Sequence, residues 1–97
     1  MIKHTVTFKL KGTPEERREA ATRFAAALDA LPAVIPQLLS IETGVNINPA
    51  ESWDVTLTAT AATLDDVAAY SAHPAHLAAV AIIAGCKEER ACVDYEV

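Results

Sequence analysis

Few side chains in this chain can do proton chemistry near neutral pH: the histidines His4, His73 and His76, and, close in sequence to the last two, Tyr70. A neutral imidazole at His76 can take a proton from carbon or oxygen and return it, the ordinary demand on a general base. Tyr70 can donate its phenolic hydrogen bond to the enolate oxygen that develops as such a proton leaves. Each residue also has a plain structural reading. His76 could be a ring packed in a helix and bonded to a carbonyl, Tyr70 a core tyrosine with its hydroxyl at the surface, and His73 a turn residue capping the next helical piece. His4 falls among Ile2, Val6 and Phe8, where an unpaired polar ring costs free energy, so it needs a partner from a helix or from a ligand.

The three histidines could on paper ligate zinc. Pro74 breaks the helical phase between His73 and His76, and no cysteine or carboxylate stands obviously ready as a fourth ligand, so neither a metal nor another cofactor is expected. Cys86 and Cys92 lie near the last strand, about 20 Å apart if that strand is continuous. A bridge needs Cα atoms within about 7 Å. They read as two free thiols suited to a reducing cytosol, and nothing beside Cys92 marks a thiolate-stabilising site.

The elements that must position these groups follow from periodicity and caps. Ile2 to Leu10 alternates, with Ile2, His4, Val6, Phe8 and Leu10 on one face of a strand and Lys3, Thr5, Thr7 and Lys9 on the other. Thr13-Pro14-Glu15-Glu16 supplies an N-cap, a proline at the first helical position and a capping-box glutamate, so a helix begins at Pro14. Its apolar face is Ala20, Ala21, Phe24, Ala25, Leu28 and Leu31, and Pro32 and Pro36 end it. A second strand places Leu39, Ile41, Thr43, Val45 and Ile47 on one face, and a third runs from Trp53 to about Ala61 with Thr56, Thr58 and Thr60 on its outer face. Thr63 caps a second helix, which Pro74 interrupts at a His73-Pro74 hinge before it resumes from Ala75 to Ala84 and stops at Gly85. Lys87 to Val97 alternates into Ala91, Val93, Tyr95 and Val97 as a last strand. The order is β-α-β-β-α-β with the second helix broken, an α+β, ferredoxin-like plan in one domain spanning residues 1–97.

Charge and hydropathy exclude several classes. Eight Lys and Arg against thirteen Asp and Glu give a net charge of -5 with no basic cluster, which argues against nucleic acid. No apolar run approaches the about 18 residues of a membrane span, and the N-terminus reads as a strand instead of a signal peptide, so no membrane association and a cytoplasmic location are expected. The face holding Thr5, Thr7, Glu42, Asn46, Asp54, Thr56, Thr58 and Thr60 is polar enough to be solvated, yet its threonines suit a half-buried sheet better than an open one.

Taken together, Ile2-Lys3-His4 opening a strand, Trp53-Asp54 at the third strand, Tyr70-x-x-His73-Pro74-x-His76 and Val93-Asp94-Tyr95 near the C-terminus resemble the stress-responsive A/B barrel family over essentially the whole chain. That resemblance implies a homodimer in which two four-stranded sheets face each other as an α/β barrel, threonine faces inward and helices outside. Some members resembling this chain are cofactor-independent polyketide cyclases, in which the helix tyrosine and the second histidine, matching Tyr70 and His76, are the working groups. The strand-one histidine, matching His4, shares their pocket. The cyclase-type pattern also carries a strand-three histidine where this chain has Val55.

Three functions follow as expectations: a homodimer binding a small, largely apolar ligand between sheet and helices; a cofactor-free cyclase or isomerase using the Tyr70/His76 pair; or a cofactor-free oxygenase of the kind found in related dimeric barrels. The expected catalytic residues are His76 and Tyr70, and the expected ligand-binding residues are His4, His73 and Phe8. An open cavity bounded by His4, Tyr70 and His76 would favour the enzymes, and a void filled by Phe8, Leu77 or Val80 a structural protein.

Overall fold

The alternation of the first strand is carried directly into burial. In the computed structural model, which describes residues 1–97, β1 (Ile2–Leu10) buries every even-numbered residue and leaves the odd ones half-exposed. It lies inside a four-stranded antiparallel sheet of order β2-β3-β1-β4, with β2 at Ser40–Val45, β3 at Val55–Ala61 and β4 at Lys87–Glu96. This is the ferredoxin-like arrangement that the element order requires. Three helices, α1 (Pro14–Asp29), α2 (Leu64–Ala72) and α3 (Pro74–Ala81), cover one face of the sheet. Between them Val6, Phe8, Leu10, Phe24, Leu28 and Leu57 form the centre of the core, with Phe8 and Phe24 edge-to-face at 5.3 Å.

The caps form as the sequence predicts. Glu16 N–H donates to Thr13 Oγ1 and Thr13 N–H donates to Glu16 Oε1, closing the capping box of α1. Thr63 Oγ1 accepts from Asp66 N–H at the start of α2. Thr13→Ala, which removes the cap without touching the core, is expected to lower stability by about 1 kcal/mol in urea unfolding.

Several boundaries are shorter than periodicity alone implies. β2 ends at Val45, so Ile47 lies outside the strand at 80% exposure. Asn46, expected on the open face, instead folds the next loop, its side-chain amide donating to Asn48 O and Glu51 O. β3 begins at Val55 instead of Trp53. Asp54 turns away from the threonine face: its Oδ2 accepts from Leu10 N–H at 2.7 Å and its Oδ1 lies 3.7 Å from Arg17 Nε. A backbone donor and a guanidinium outcompete the pleat at a strand end, where no ladder fixes the side chain's face. α3 stops at Ala81, and Leu77, expected on its apolar face, is exposed.

The face away from the helices carries Thr5, Thr7, Thr56 and Thr58 in cross-strand pairs, Thr5 with Thr58 and Thr7 with Thr56. Opposite these on β4 stand Val93 across from Thr5 and Tyr95 across from Lys3. The apolar alternation of β4 therefore points away from the helices, while Arg90, Cys92 and Asp94 share the face of Phe8, Val6 and His4. No helix is long and apolar enough to cross a membrane.

Candidate functional site

A break in a helix brings the site together. In an unbroken helix Tyr70 and His76 would sit about 240° apart around the axis and about 9 Å apart along it. Here His73 has extended backbone between α2 and α3, and its Nδ1 accepts from Ala75 N–H at 3.0 Å, starting the new helix in a new direction. The Tyr70 and His76 rings then meet with centroids 4.5 Å apart. On the other side of Tyr70, His4 meets it edge-on at 6.1 Å. The result is an imidazole–phenol–imidazole row between the sheet and the broken helix.

That row borders a cavity of about 160 Å³. His4, Val6 and Phe8 line it from β1, Tyr70 and Ser71 from α2, and His76 and Val80 from α3. Phe24 and Leu57 close it from the core, and Lys87 and Arg90 of β4 stand at its exposed side. Two larger clefts, of about 360 Å³ beside Trp53 and Gly44 and about 390 Å³ beside Arg17 and Asn48, are open surface grooves without a histidine or tyrosine. The structure thus brings together His4, Phe8, Tyr70 and His76. His73 is not in the lining; its ring is engaged in the α3 cap.

Hydrogen bonds set which nitrogen of each ring is left for chemistry. His76 Nδ1 lies 2.9 Å from Ser71 O, and because a carbonyl only accepts, Nδ1 carries the proton and Nε2 keeps its lone pair. Burial holds the His76 pKa below the usual imidazole range, helped by the nearby charges of His4 and Arg90 and opposed by the Ser71 hydrogen bond. His76 is therefore neutral at pH 7. His4 Nδ1 donates to Asp94 Oδ1 at 2.5 Å, which leaves Nε2 as its uncommitted nitrogen. The Tyr70 hydroxyl is buried and has no hydrogen-bond partner, and burial pushes its pKa up to about 12. It stays protonated, a donor with nothing in the protein to receive it.

The partner that His4 required is Asp94 on the neighbouring strand, which residue-by-residue reading of the sequence missed. The signal was present in the alternation of β4, since placing Val93 and Tyr95 on one face puts Asp94 on the other, and the β1–β4 register sets it opposite His4. Cys92 lies in the same corner, its Sγ 3.5 Å from His4 Nδ1. His4, Cys92 and Asp94 offer three ligand atoms within 4.8 Å of one another. A metal there would have to displace the His4–Asp94 hydrogen bond and deprotonate a thiol whose pKa is raised, first by burial and then by the Asp94 carboxylate. Cys86 and Cys92 are both free.

The chain is similar in structure to a dimeric protein of unknown function from Bacteroides fragilis, at 46% sequence identity and a TM-score of 0.94, covering 99% of this chain and 95% of that one. It is also similar to a dimeric ferredoxin-like protein of unknown function from Thermobifida fusca, at 31% identity and a TM-score of 0.81, covering 99% and 90% of the two chains. A ferredoxin-like protein of the dabb family from Mesorhizobium loti matches at 25% identity and a TM-score of 0.74, covering 99% and 95%. None of the curated proteins matches the chain. The model of the stress responsive A/B barrel domain matches residues 2–97, and with these folds and identities the chain belongs to that family.

Proposed function

We propose that this protein is a homodimer that performs cofactor-free acid–base chemistry on a small carbonyl compound held between His4, Tyr70 and His76, of the isomerase or cyclase type. The observation that carries this reading is the buried, partnerless Tyr70 hydroxyl beside two imidazoles and a cavity. A buried hydroxyl without a partner costs about 1–3 kcal/mol, a cost that a core tyrosine would shed by becoming phenylalanine. A ligand oxygen in the cavity supplies the missing acceptor. His76 Nε2 takes a proton from the carbon beside the carbonyl, the C–H electron pair moves into the new C=C bond, and the carbonyl oxygen gains the charge that Tyr70 O–H receives. Return of the proton from His76 Nε2 to a different atom gives isomerisation; attack of the enolate carbon on a second carbonyl forms a C–C bond and an alkoxide, which takes the proton back from the protonated imidazole, and gives cyclisation. His4 is a second proton carrier on the far side of Tyr70, and Asp94 is a positioning residue that holds its Nδ1–H.

Binding without turnover uses the same cavity and the same residues, and it differs only in the fate of the α-proton. Incubation with small ketones and β-dicarbonyls in D2O separates the two. Wild-type protein is expected to speed deuterium incorporation at the α-carbon as read by NMR, and His76→Ala to abolish this while leaving the dimer intact. Ligand-induced shifts without any exchange would leave a binding protein. Because the His76 pKa is lowered, the exchange rate should rise with pH and level off below pH 6.5, then stay flat across neutrality. A rise centred above pH 6.5 would remove His76 as the base.

The homodimer is supported by the dimeric relatives from Bacteroides fragilis and Thermobifida fusca and by the uncovered sheet face. On β4 that face exposes Val93 at 62% and Tyr95 at 45%, beside the paired threonines of β1 and β3. A second copy of the same face would cover them in a two-fold arrangement.

A further inference from the structure

We infer that the natural occupant of the His4–Tyr70–His76 cavity is a small monocarboxylate, about one ring in size, whose carboxylate is held by Arg90 and Lys87. The inference rests on the acid–base reading of the same site and adds the charge and size of the substrate. Charge is the first argument. The chain has a net charge of -5, yet not one of its thirteen acidic residues lines this cavity, whereas two of its eight Lys and Arg residues do. Neither Arg90 nor Lys87 forms an ion pair, although Lys9 on the same sheet pairs with Glu89 and Arg17 with Asp54. Asp94, which shares the cavity's face of β4, is engaged with His4. An anionic oxygen pair at the mouth would meet a guanidinium and an ammonium, with no carboxylate among the residues that line the cavity.

Polarity along the cavity is the second argument. Arg90 is opposite Phe8 in the β1–β4 register and Lys87 opposite Leu10, while His4 is opposite Asp94 further along the same strands. The backbone positions of the cations therefore stand four and six residues along the strand from the His4 position, roughly 13–20 Å at 3.3 Å per residue, and their long side chains reach back to the cavity lining. Phe8, Phe24, Val6 and Leu57 make the wall between them apolar. A ligand with a carboxylate at one end, a short apolar body and a carbonyl at the other matches this order of groups.

Size is the third. A cavity of about 160 Å³ is close to the roughly 150 Å³ engineered cavity that takes benzene. Ligand sites for larger, drug-sized molecules run to about 300–1,000 Å³. A fused multi-ring substrate is too large for this volume.

Three probe pairs test the inference: levulinate with 4-oxopentanamide, benzoate with benzamide, and phenylpyruvate with its amide. Binding is read by NMR titration of the Tyr70 and histidine ring signals, and exchange of the ketone α-protons in D2O is followed for the two keto acids. At least one acid is expected to bind about tenfold or more tighter than its amide. Arg90→Gln should erase that preference, and Arg23→Gln, an exposed change on α1, should leave it intact. Equal affinity for acid and amide, with α-proton exchange retained, overturns the carboxylate inference and leaves the acid–base reading standing. Phenyl phosphate binding as tightly as benzoate overturns the choice of carboxylate in favour of a general anion. If no member of any pair shifts the Tyr70 or His76 signals, both the inference and the reading beneath it fail.

Discussion

Tyr70→Phe is expected to raise the stability of the folded protein by about 1–2 kcal/mol and to slow α-proton exchange at least about 100-fold. The two effects have one cause. The hydroxyl is buried without a partner in the free protein, so removing it deletes a desolvation cost, and it is the one donor placed to meet an oxyanion between the two imidazoles. Few substitutions at a residue only 1% exposed are expected to stabilise. A tyrosine with only a packing role would keep that role as phenylalanine, so unchanged exchange would assign Tyr70 to the core. Alkali gives an independent check on the same group. Its folded pKa of about 12 lies above the unfolded value near 10, so the folded state keeps a proton that the unfolded state releases. Stability tied to Tyr70 is fully present below pH 10 and is lost as pH rises toward 12, at roughly 1 kcal/mol per pH unit. Urea unfolding at pH 9, 10 and 11 should show wild type losing this much relative to Tyr70→Phe, in which the other alkaline titrations are the same.

Thr56→Lys is expected to dissociate the dimer, weakening it by about 3 kcal/mol or more, at least 100-fold in Kd. Thr56 is exposed on the uncovered sheet face, bonded through its hydroxyl to Thr7 and to Val6 O. In a two-fold dimer each substitution enters the interface twice, so two ammonium groups would be placed in one closed space. Thr60 carries the same pattern in sequence but is already 7% exposed within a single chain, so a lysine there would damage the protomer as well as the dimer. Light scattering should give twice the 10.3 kDa chain mass for wild type and one chain mass for Thr56→Lys at micromolar concentration. A wild-type monomer, or a dimer indifferent to the lysine, would mean that the face is simply solvated.

The two experiments also separate the two faces of the sheet. Tyr70 belongs to the helix-covered side and Thr56 to the open one, so exchange should survive dimer loss in kind, though its rate will report any partner contribution to the cavity. Loss of ligand binding on Thr56→Lys, with the protomer still folded, would place part of the site across the interface.

The sequence by itself determined the elements, their faces and their caps, because those depend on local rules. Period-two alternation placed His4 with Val6 and Phe8, Thr13 and Thr63 capped their helices, and Pro74 broke the second helix at His73. It also supplied the histidines and tyrosine of the site, since few residues of those types exist in the chain. What it could not determine were relations between segments distant along the chain. The His4–Asp94 bond joins residues separated by nearly the whole sequence and depends on the register of β1 against β4, which a one-residue slip would have changed completely. Strand ends escape the alternation for the same reason: at Asp54 and Asn46 no ladder partner holds the pleat, and tertiary or loop hydrogen bonds decide where the side chain turns. The distance between Tyr70 and His76, and the cavity they border, depend on the angle at which α3 leaves His73, an angle fixed by the packing of α3 against α1 and α2 together with the hinge.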